Sequence, residues 1–279
     1  MVHEVLAAGR EALGGDLGWH GGSQRLHGAG GRSLFALGDR GPRPRRPSIA
    51  GASSNREHPS SGVGAVPYAI KEIFHTLQGE GARTGRAAVF CRFAGCNLWT
   101  GREADRATAT CDFCDTDFVG TDGPGGGRFA KAVDLVAAIR RRWDEAVPSG
   151  GDARPYVVFT GGEPLLQLDE AVVEGCHAAG FEVAVETNGT IPPPPGIDWL
   201  TVSPKPGAEL AVRRGQEMKL VYPTRVPPES VASLDFDTFF LQPLDGPHRD
   251  ANVRLTAEYC LRHPHWRLSL QTHKIVGLP

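Results

Sequence analysis

The sequence of 279 residues contains no apolar run close to the roughly 20 residues that a membrane-spanning helix needs. Its first residues also lack the series of positive charge, apolar block and small-residue cleavage site that marks a secretory signal. The net charge is only −2, so there is no general excess of positive charge for nucleic acid or an anionic membrane. These absences predict a cytoplasmic protein whose partners include no nucleic acid and no membrane.

Six cysteines are too few for a disulfide scaffold in a chain of this size, and cytosolic thiols stay reduced. Three of them stand singly within apolar-patterned segments and are predicted to be small core residues: Cys91, Cys176 and Cys260. The other three form a spaced set, in which fourteen residues separate Cys96 from Cys111 and two separate Cys111 from Cys114.

Residues 1–66 contain no lysine and show no sustained hydrophobic period of either 2 or 3.6. They are rich in glycine and arginine, and such a segment buries too little apolar surface to offset the entropy of ordering it. We therefore expect 1–66 to be a disordered extension and 67–279 to be the folded domain. A second interpretation is that translation starts at Val66, just before the first well-patterned segment.

After residue 67 the pattern is that of an α/β protein with parallel strands. Short apolar runs predict strands at Ala87–Phe93, Tyr156–Thr160, Glu182–Glu186, Trp199–Val202, Glu217–Val221, Phe239–Leu241 and Arg267–Gln271. Helical stripes lie between the first three runs, over 129–147 and 165–176, whereas the later connections are too short or too proline-rich for full helices. This segment is shorter than the about 250 residues of a complete eight-stranded barrel, so we expect an incomplete TIM-like barrel of about six parallel strands.

The spaced cysteines lie in the loop after the first predicted strand, where three thiolates can converge on one metal or cluster. With His75 as fourth ligand they would make a closed zinc site. With a four-iron cluster they would leave one iron free for a small molecule. The spacing does not decide between these alternatives, although the apolar ring of Phe113 would shield the sulfides of a cluster from water.

Polar segments follow one predicted strand after another. They are Thr160–Pro164, Glu186–Thr190, Ser203–Pro206 and Gln242–Asp245. Because parallel barrels build their sites at the carboxyl ends of their strands, this pattern predicts a single site there. The paired glycines Gly161 and Gly162 would let the main chain approach a ligand closely, and Glu163 could accept from a charged amine.

The three-cysteine loop, with Phe113 before the last cysteine and Gly161–Pro164 after the second strand, resembles the radical S-adenosylmethionine superfamily. Over 68–279 the chain is more closely similar to the 7-carboxy-7-deazaguanine synthase family. The motifs that carry this similarity are Ile73–Gly81, Phe90–Leu98, Cys114–Thr116, Glu186–Thr190 and Ser203–Lys205. The superfamily's usual cysteine spacing is three residues and then two, so the polar insertion 99–110 is a departure, which we expect to form a surface excursion.

The resemblance implies a lyase that converts 6-carboxy-5,6,7,8-tetrahydropterin to 7-carboxy-7-deazaguanine in queuosine biosynthesis. It implies a [4Fe-4S] cluster, S-adenosylmethionine as the source of a 5′-deoxyadenosyl radical, and Mg²⁺ that assists ring contraction and loss of ammonia. The implied protein partner is a reductant such as flavodoxin or ferredoxin. An open sheet edge further favours a homodimer.

The resemblance also implies roles for individual residues. The cluster ligands would be Cys96, Cys111 and Cys114, and the magnesium ligand Thr116. The residues expected to bind S-adenosylmethionine are Phe113, Cys114, Asp115, Gly162, Glu163, Ser203, Pro204, Lys205, Gln242, Pro243, Leu244 and Asp245. The residues expected to bind the substrate are Leu77, Gln78, Gly79, Arg92, Thr160, His273 and Pro279. Glu80 and Arg92 would be catalytic, with the planar guanidinium of Arg92 on the substrate carboxylate.

Two other functions compete with this one. The first keeps the superfamily but activates a glycyl radical on a partner protein, which the segment Gln78–Glu80 disfavours. The second is a zinc-stabilised binding module without catalysis, in which His75 and the three spaced cysteines are structural.

Overall fold

The computed structural model describes residues 67–148 and 154–279, and the prediction for residues 1–66 lies outside this part of the chain. The strands are β1 (Tyr68–Leu77), β2 (Ala87–Phe93), β3 (Gly127–Phe129), β4 (Tyr156–Gly161), β5 (Glu182–Thr187), β6 (Trp199–Val202), β7 (Arg214–Tyr222), β8 (Asp235–Pro243) and β9 (Arg267–Leu268). The α-helices are α1 (Ala132–Ala146), α2 (Glu170–Ala178), α3 (Arg249–Arg262) and α4 (Thr272–Val276).

All nine strands belong to one sheet in the order β3-β1-β2-β4-β5-β6-β7-β8-β9. Each neighbouring pair from β2 to β9 is parallel, whereas β1 is antiparallel to both β2 and β3. The outer strands β3 and β9 do not pair with each other, so the sheet is largely parallel and open. The expected mixed α/β architecture is confirmed at this level.

The two faces of the strands have different neighbours because successive residues of a strand point to opposite sides. On β4, Val157 and Phe159 belong to the main core, together with Leu135 and Ile139 of α1. The alternate residue Val158 belongs to a small separate cluster on the other face. Burying each large apolar side chain of the main core contributes about 1.5 to 3 kcal/mol to folding, so the helix-covered face stabilises the sheet most. The other face has only the small apolar cluster and leaves room for polar groups.

The strands and helices of the first half of the sheet follow the sequence pattern closely. Strands β2 and β6 have the predicted bounds, α1 lies within its predicted stripe, and α2 begins within its stripe and ends two residues beyond it. The side chain of Asp169 accepts a hydrogen bond from Val172 N at 3.1 Å and so caps the start of α2. Gly180 has φ of 85° just after α2 ends, as expected for a helix-stopping glycine.

Two expectations about the elements were wrong, and two strands, β1 and β3, were missed. The connection between β8 and β9 contains the 14-residue helix α3, although it was expected to be too short for a helix. Its buried side chains are only Thr256 and Tyr259, so its apolar stripe is weak. Strand β1 was not predicted, because a register irregularity between Ile70 and Glu72 breaks its alternation. The last predicted strand is reduced to the two residues of β9.

The single cysteines are core residues to different degrees. Cys91 and Cys176 are fully buried among apolar side chains, whereas Cys260 is half-buried at the edge of the main core. Within 67–148 and 154–279, no helix combines the length and the apolar character that crossing a membrane demands.

Candidate active site

The polar segments after four strands line one cavity of about 370 Å³. The lining residues stand at or just after the ends of these strands: Thr160–Gly162 at β4, Glu186–Asn188 at β5, Ser203 and Lys205 after β6, and Gln242–Asp245 at β8. Residues of all four segments that the sequence predicts to form one site therefore line the same cavity, and ligand binding there stays a prediction. The cavity is also lined by the other expected residues Leu77, Gln78, Gly79, Glu80, Arg92, Cys111, Phe113, Cys114, Asp115, Thr116, His273 and Pro279.

The segment Gln78–Glu80 reaches this cavity from the opposite direction. Because β1 runs antiparallel to β2, β1 ends with Leu77 beside Ala87, the first residue of β2, and the segment Gln78–Glu80 starts there. Its main chain is held by Thr272, which donates to Gly79 O from its backbone N at 2.9 Å and from its Oγ1 at 2.7 Å. A Cβ at position 79 would collide with the ring of His273, so only glycine allows this contact. The C-terminal residues 271–279 thus close the cavity on this side.

Four side chains in the cavity form what we call the carboxylate ring: Gln78, Glu80, Glu186 and Lys219. Lys219 Nζ donates to Glu80 Oε2 and, at 3.3 Å, to Glu186 Oε2. Gln78 Nε2 donates to Glu186 Oε1 at 2.9 Å, and Gln78 Oε1 accepts from Glu80 N at 3.0 Å. Each member is therefore bonded to two others, and the ring is closed.

The carboxylate of Glu80 receives two further hydrogen bonds. Gln242 Nε2 and Gln271 Nε2 donate to its Oε1 at 3.0 and 3.1 Å. Burial alone would raise the pKa of Glu80, but the charge of Lys219 and these donors outweigh burial and hold the pKa below its usual range. For Lys219, burial would lower the pKa, and the surrounding carboxylates raise it well above its usual value. Both groups are therefore charged at neutral pH.

Arg92 is held on the adjacent wall of the cavity by its cross-strand neighbour Glu72. The two residues are directly paired between β2 and β1, and Arg92 Nε donates to Glu72 Oε1 at 2.7 Å. The guanidinium carbon lies 5.8 Å from the ring centroid of Phe74. Since Glu72 engages the Nε side of the guanidinium, the terminal nitrogens are the donors left to meet a carboxylate in the cavity.

Cys111 and Cys114 line another end of the cavity and, together with the neighbouring Cys96, form what we call the cysteine end. A hydrogen bond between the thiols of Cys111 and Cys114 lowers the pKa of Cys114 to about 6 and raises that of Cys111. Burial raises the pKa of Cys96, which lies beside Gly162 and does not itself line the cavity. A Cβ at position 162 would collide with Gly95 O and Cys96, so glycine permits this close approach.

His75 does not belong to the cysteine end. It lies on β1 with its ring 5.7 Å from that of Trp143 on α1, on the helix-covered face of the sheet. Its Nε2 is buried without a hydrogen-bond partner, and burial lowers the pKa of the ring. The alternative in which His75 completes a zinc site with the three cysteines is therefore wrong.

The inserted loop 99–110 is more firmly anchored than a polar surface excursion. Trp99 is buried and contacts Phe118 edge to face, with 5.6 Å between ring centroids. Arg106 lies 4.2 Å from the Trp99 ring centroid, and its Nη1 donates to Asp112 O and Cys114 O at 3.0 and 3.1 Å. The insertion thus supports the main chain that carries Cys111 and Cys114.

Two residues expected to bind S-adenosylmethionine do not line the cavity, namely Glu163 and Pro204. The Glu163 carboxylate is fully buried and accepts from Leu165 N at 3.0 Å, Thr187 Oγ1 at 2.8 Å and Asn188 N at 2.8 Å. The interpretation that this side chain accepts from a ligand amine is therefore corrected. It fixes the turn after β5 against the start of the helical turn after β4.

Lys274 connects the cysteine end with the end of β8. Its Nζ donates to Asp115 Oδ2 at 2.7 Å and to Asp245 Oδ2 at 2.6 Å. On the wall between them, Lys205 Nζ donates to Ser203 O and Oγ at 2.8 and 2.7 Å. Burial lowers the pKa of Lys205. The side chains expected at this end of the cavity are thus held by one another before any ligand binds.

The sequence analysis missed several residues that line the cavity: Glu72, Glu186, Lys219, Gln271 and Lys274. Glu186 lies in a segment that the analysis quoted, but it was given no role. Lys219 lies within a strand and two residues from Glu217, so the alternation of β7 is the signal that could have placed both on one face. Glu72 gives no such signal, because the irregularity of β1 hides its side.

No protein-family model matches the chain. The 7-carboxy-7-deazaguanine synthase of Bordetella pertussis is 64% identical over 215 residues, which are 77% of this chain and 100% of that protein. The protein of the same name from Caulobacter vibrioides is 61% identical over 215 residues, with the same shares. A crystal structure of QueE from Escherichia coli matches with a TM-score of 0.55 and 31% identity, over 73% of this chain and 93% of that one. The similarity thus extends over the whole length of the two curated relatives.

Proposed function

The chain belongs to the 7-carboxy-7-deazaguanine synthase family, radical S-adenosylmethionine enzymes of queuosine biosynthesis, and we propose that it converts 6-carboxy-5,6,7,8-tetrahydropterin to 7-carboxy-7-deazaguanine with loss of ammonia. In this proposal the open sheet is the partial TIM-like barrel of a radical S-adenosylmethionine core. The observation that carries the proposal is that the cysteine end and the carboxylate ring border the same cavity.

By the chemistry of its donors the cysteine end suits an iron–sulfur cluster and S-adenosylmethionine, since it offers three cysteine sulfurs and thiolates are the usual ligands of such clusters. Within residues 67–148 and 154–279 no three His, Cys, Asp or Glu side chains yet converge closely enough to hold a metal ion. Cys96, Cys111 and Cys114 would hold a [4Fe-4S] cluster. When bound, the cluster and S-adenosylmethionine supply the radical chemistry that removes a hydrogen atom from the substrate.

The neighbouring wall offers groups of both polarities for S-adenosylmethionine. The main chain at Gly162 would meet the amino group, and the half-buried Lys205 beside Ser203 offers a cation for the carboxylate. The remaining expected contacts come from Phe113, Asp115 and Gln242–Asp245, which line the same cavity. Pro204 and Glu163 act through the main chain that they hold in place.

The carboxylate ring fits the edge of a pterin, which presents N–H donors beside an acceptor. The ionised carboxylate of Glu80 accepts from N–H groups, and the amide of Gln78 both donates and accepts. Arg92 offers its terminal nitrogens to the substrate carboxylate, and Thr160 lies opposite Arg92 on the neighbouring strand β4. The C-terminal residues His273 and Pro279 cover the same region and would exclude water from it.

Thr116 is the proposed ligand of Mg²⁺. It lines the cavity two residues after Cys114, and Arg92 lines the same cavity. Magnesium prefers oxygen ligands and keeps several waters, so one hydroxyl and the substrate carboxylate are a reasonable protein and ligand set. We also propose that a flavodoxin or ferredoxin supplies electrons and that the enzyme is a homodimer.

The deciding experiment is turnover of 6-carboxy-5,6,7,8-tetrahydropterin by the anaerobically reconstituted protein, with S-adenosylmethionine and dithionite. Mass spectrometry should detect 7-carboxy-7-deazaguanine and one ammonia per product, together with 5′-deoxyadenosine. Mg²⁺ should stimulate the wild type but not Thr116→Ala. Formation of 5′-deoxyadenosine without any deazaguanine product would overturn the proposed substrate while leaving the cofactor assignment intact.

A further inference from the structure

Lys219 lies inside the sheet, away from the strand ends that supply most of the cavity residues. It is in the middle of β7, opposite Phe240 of β8, and its side chain is only 6% exposed. Although deeply buried, its Nζ reaches the cavity and contacts two carboxylates that come from the β1–β2 connection and from β5. A buried ammonium in this position needs a reason, because leaving water costs it several kcal/mol.

The reason lies in how the carboxylate ring is closed. Without Lys219, Glu80 Oε2 and Glu186 Oε2 would lose the donor that they share. Gln78 would keep its own bonds to Glu186 Oε1 and Glu80 N, but the carboxylates of Glu186 and Glu80 would no longer be tied to each other. Its amide orientation is fixed only while both of these partners stay in place, since a reversed amide would set a donor against Glu80 N–H.

The charges around the ring also require Lys219. Three carboxylates face its Nζ: Glu80, Glu186 and, from two residues earlier on the same strand, Glu217. Other charged or titratable groups that face Glu80 and Lys219 are His273 of α4 and Lys205 of the segment after β6. Burial raises the pKa of Glu217, whose Oε2 accepts from Ala82 N at 2.9 Å. Lys219 is therefore the cation that balances the carboxylates which the ring itself exposes to ligand.

We propose that Lys219 is a positioning residue of the substrate site, which closes the carboxylate ring and keeps Glu80 and the Gln78 amide turned so that they accept from the N–H groups of a pterin. Lys219 acts through Glu80 and makes no covalent contact with substrate. This inference rests on the proposed function for the identity of the ligand, but the state of Glu80 can be measured without any ligand.

The test compares Lys219→Met, which keeps an unbranched side chain one atom shorter and removes its charge, with Glu217→Gln as matched control on the same face of β7. Infrared titration of the cluster-containing enzyme should show a protonated carboxyl in Lys219→Met that disappears as pH rises, and that is missing from the Glu80→Gln, Lys219→Met double variant. The wild type and Glu217→Gln should not show this titration near neutral pH. Iron content should equal that of the wild type in every variant.

Substrate binding supplies the second measurement. The Kd for the tetrahydropterin should rise about 30-fold or more in Lys219→Met near neutral pH, because a buried hydrogen-bonded charge pair has lost one member. Affinity should then recover with increasing pH, whereas wild type and Glu217→Gln should show a flat profile. A role in packing alone predicts weaker binding with no new pH dependence.

An unchanged Kd in Lys219→Met, or a uniform loss of affinity without the infrared titration, would overturn the role of Lys219. Failure of the wild type to bind the pterin would instead overturn the proposed function, and with it the ligand assigned to the ring. The infrared result would still decide whether Lys219 holds Glu80 ionised, so the two failures are distinguishable.

Discussion

The carboxylate ring and the cysteine end border the same cavity but are held in different ways. The ring is closed by three hydrogen bonds between side chains and one from the Glu80 backbone N–H to Gln78 Oε1, and its residues come from β5, β7 and the β1–β2 connection. The cysteine end belongs to one long loop, whose support comes from Trp99 and Arg106 of the insertion and from Lys274. In the proposed function, preformed acceptors at one end and a loop-borne set of sulfurs at the other would therefore meet the ligands.

This difference predicts different costs for single substitutions, beginning with the cysteine end. Cys114→Ala should abolish both the cluster and turnover, because two sulfurs cannot replace the three-thiolate set. Cys260→Ala, which changes a half-buried cysteine on α3, should retain both. Iron and sulfide analysis with a 5′-deoxyadenosine assay measures the effect, and a normal cluster in Cys114→Ala would refute the ligand assignment.

Substitution of Arg92, on the wall next to the ring, should weaken substrate binding and have a smaller effect than Cys114→Ala. Arg92→Ala should weaken substrate binding by about 2 to 5 kcal/mol, because it removes a charged fork that faces the substrate carboxylate. Glu72→Gln keeps an acceptor for Arg92 Nε and should cost only about 1 kcal/mol. Calorimetric Kd values decide this ordering. Equal losses in the two variants would mean that Glu72 itself contacts the ligand.

The next effect concerns the free energy of unfolding and the turn that Glu163 holds in place. Glu163→Gln should lower the free energy of unfolding by about 1 to 3 kcal/mol, because an amide nitrogen would face backbone or hydroxyl donors that the carboxylate now accepts from. Urea unfolding measures the change, with exposed Glu174→Gln on α2 as control, expected within about 0.5 kcal/mol of the wild type. A stable Glu163→Gln variant would show that the turn does not depend on the charge.

The smallest effect should be a pH dependence of the C-terminal segment over the ring. Burial lowers the pKa of His273 in the folded protein below its ordinary value of 6.5. Between the folded and the unfolded pKa, the unfolded chain binds more protons, so stability rises with pH there. The protection of the α4 amides against hydrogen exchange, expressed relative to their intrinsic exchange rates, should therefore fall on acidification through this window. The contribution of Glu80, whose pKa is held below 4.5, is lost only at lower pH. His273→Gln should remove the first dependence and leave the second.

The parts of the site that follow the strand ends could be predicted from the sequence. The segments Thr160–Pro164, Ser203–Pro206 and Gln242–Asp245 follow apolar runs, and parallel strands bring such ends together. The main chain decides this placement, so the residue order is sufficient. The role of a side chain could not be predicted in this way. The carboxylate of Glu163 accepts from three donors that only the fold brings to it, and these donors determine its role.

The sequence by itself determined the order of strands and helices in most of the sheet and the set of three sulfur donors, since both depend on local spacing and apolar pattern. Only the tertiary structure decided that Gln78, Glu80, Glu186 and Lys219 form one ring and that His75 stays apart from the cysteines. The physical reason is that charge states and hydrogen-bond partners in a buried site depend on distances between residues far apart in the chain, which no local pattern encodes.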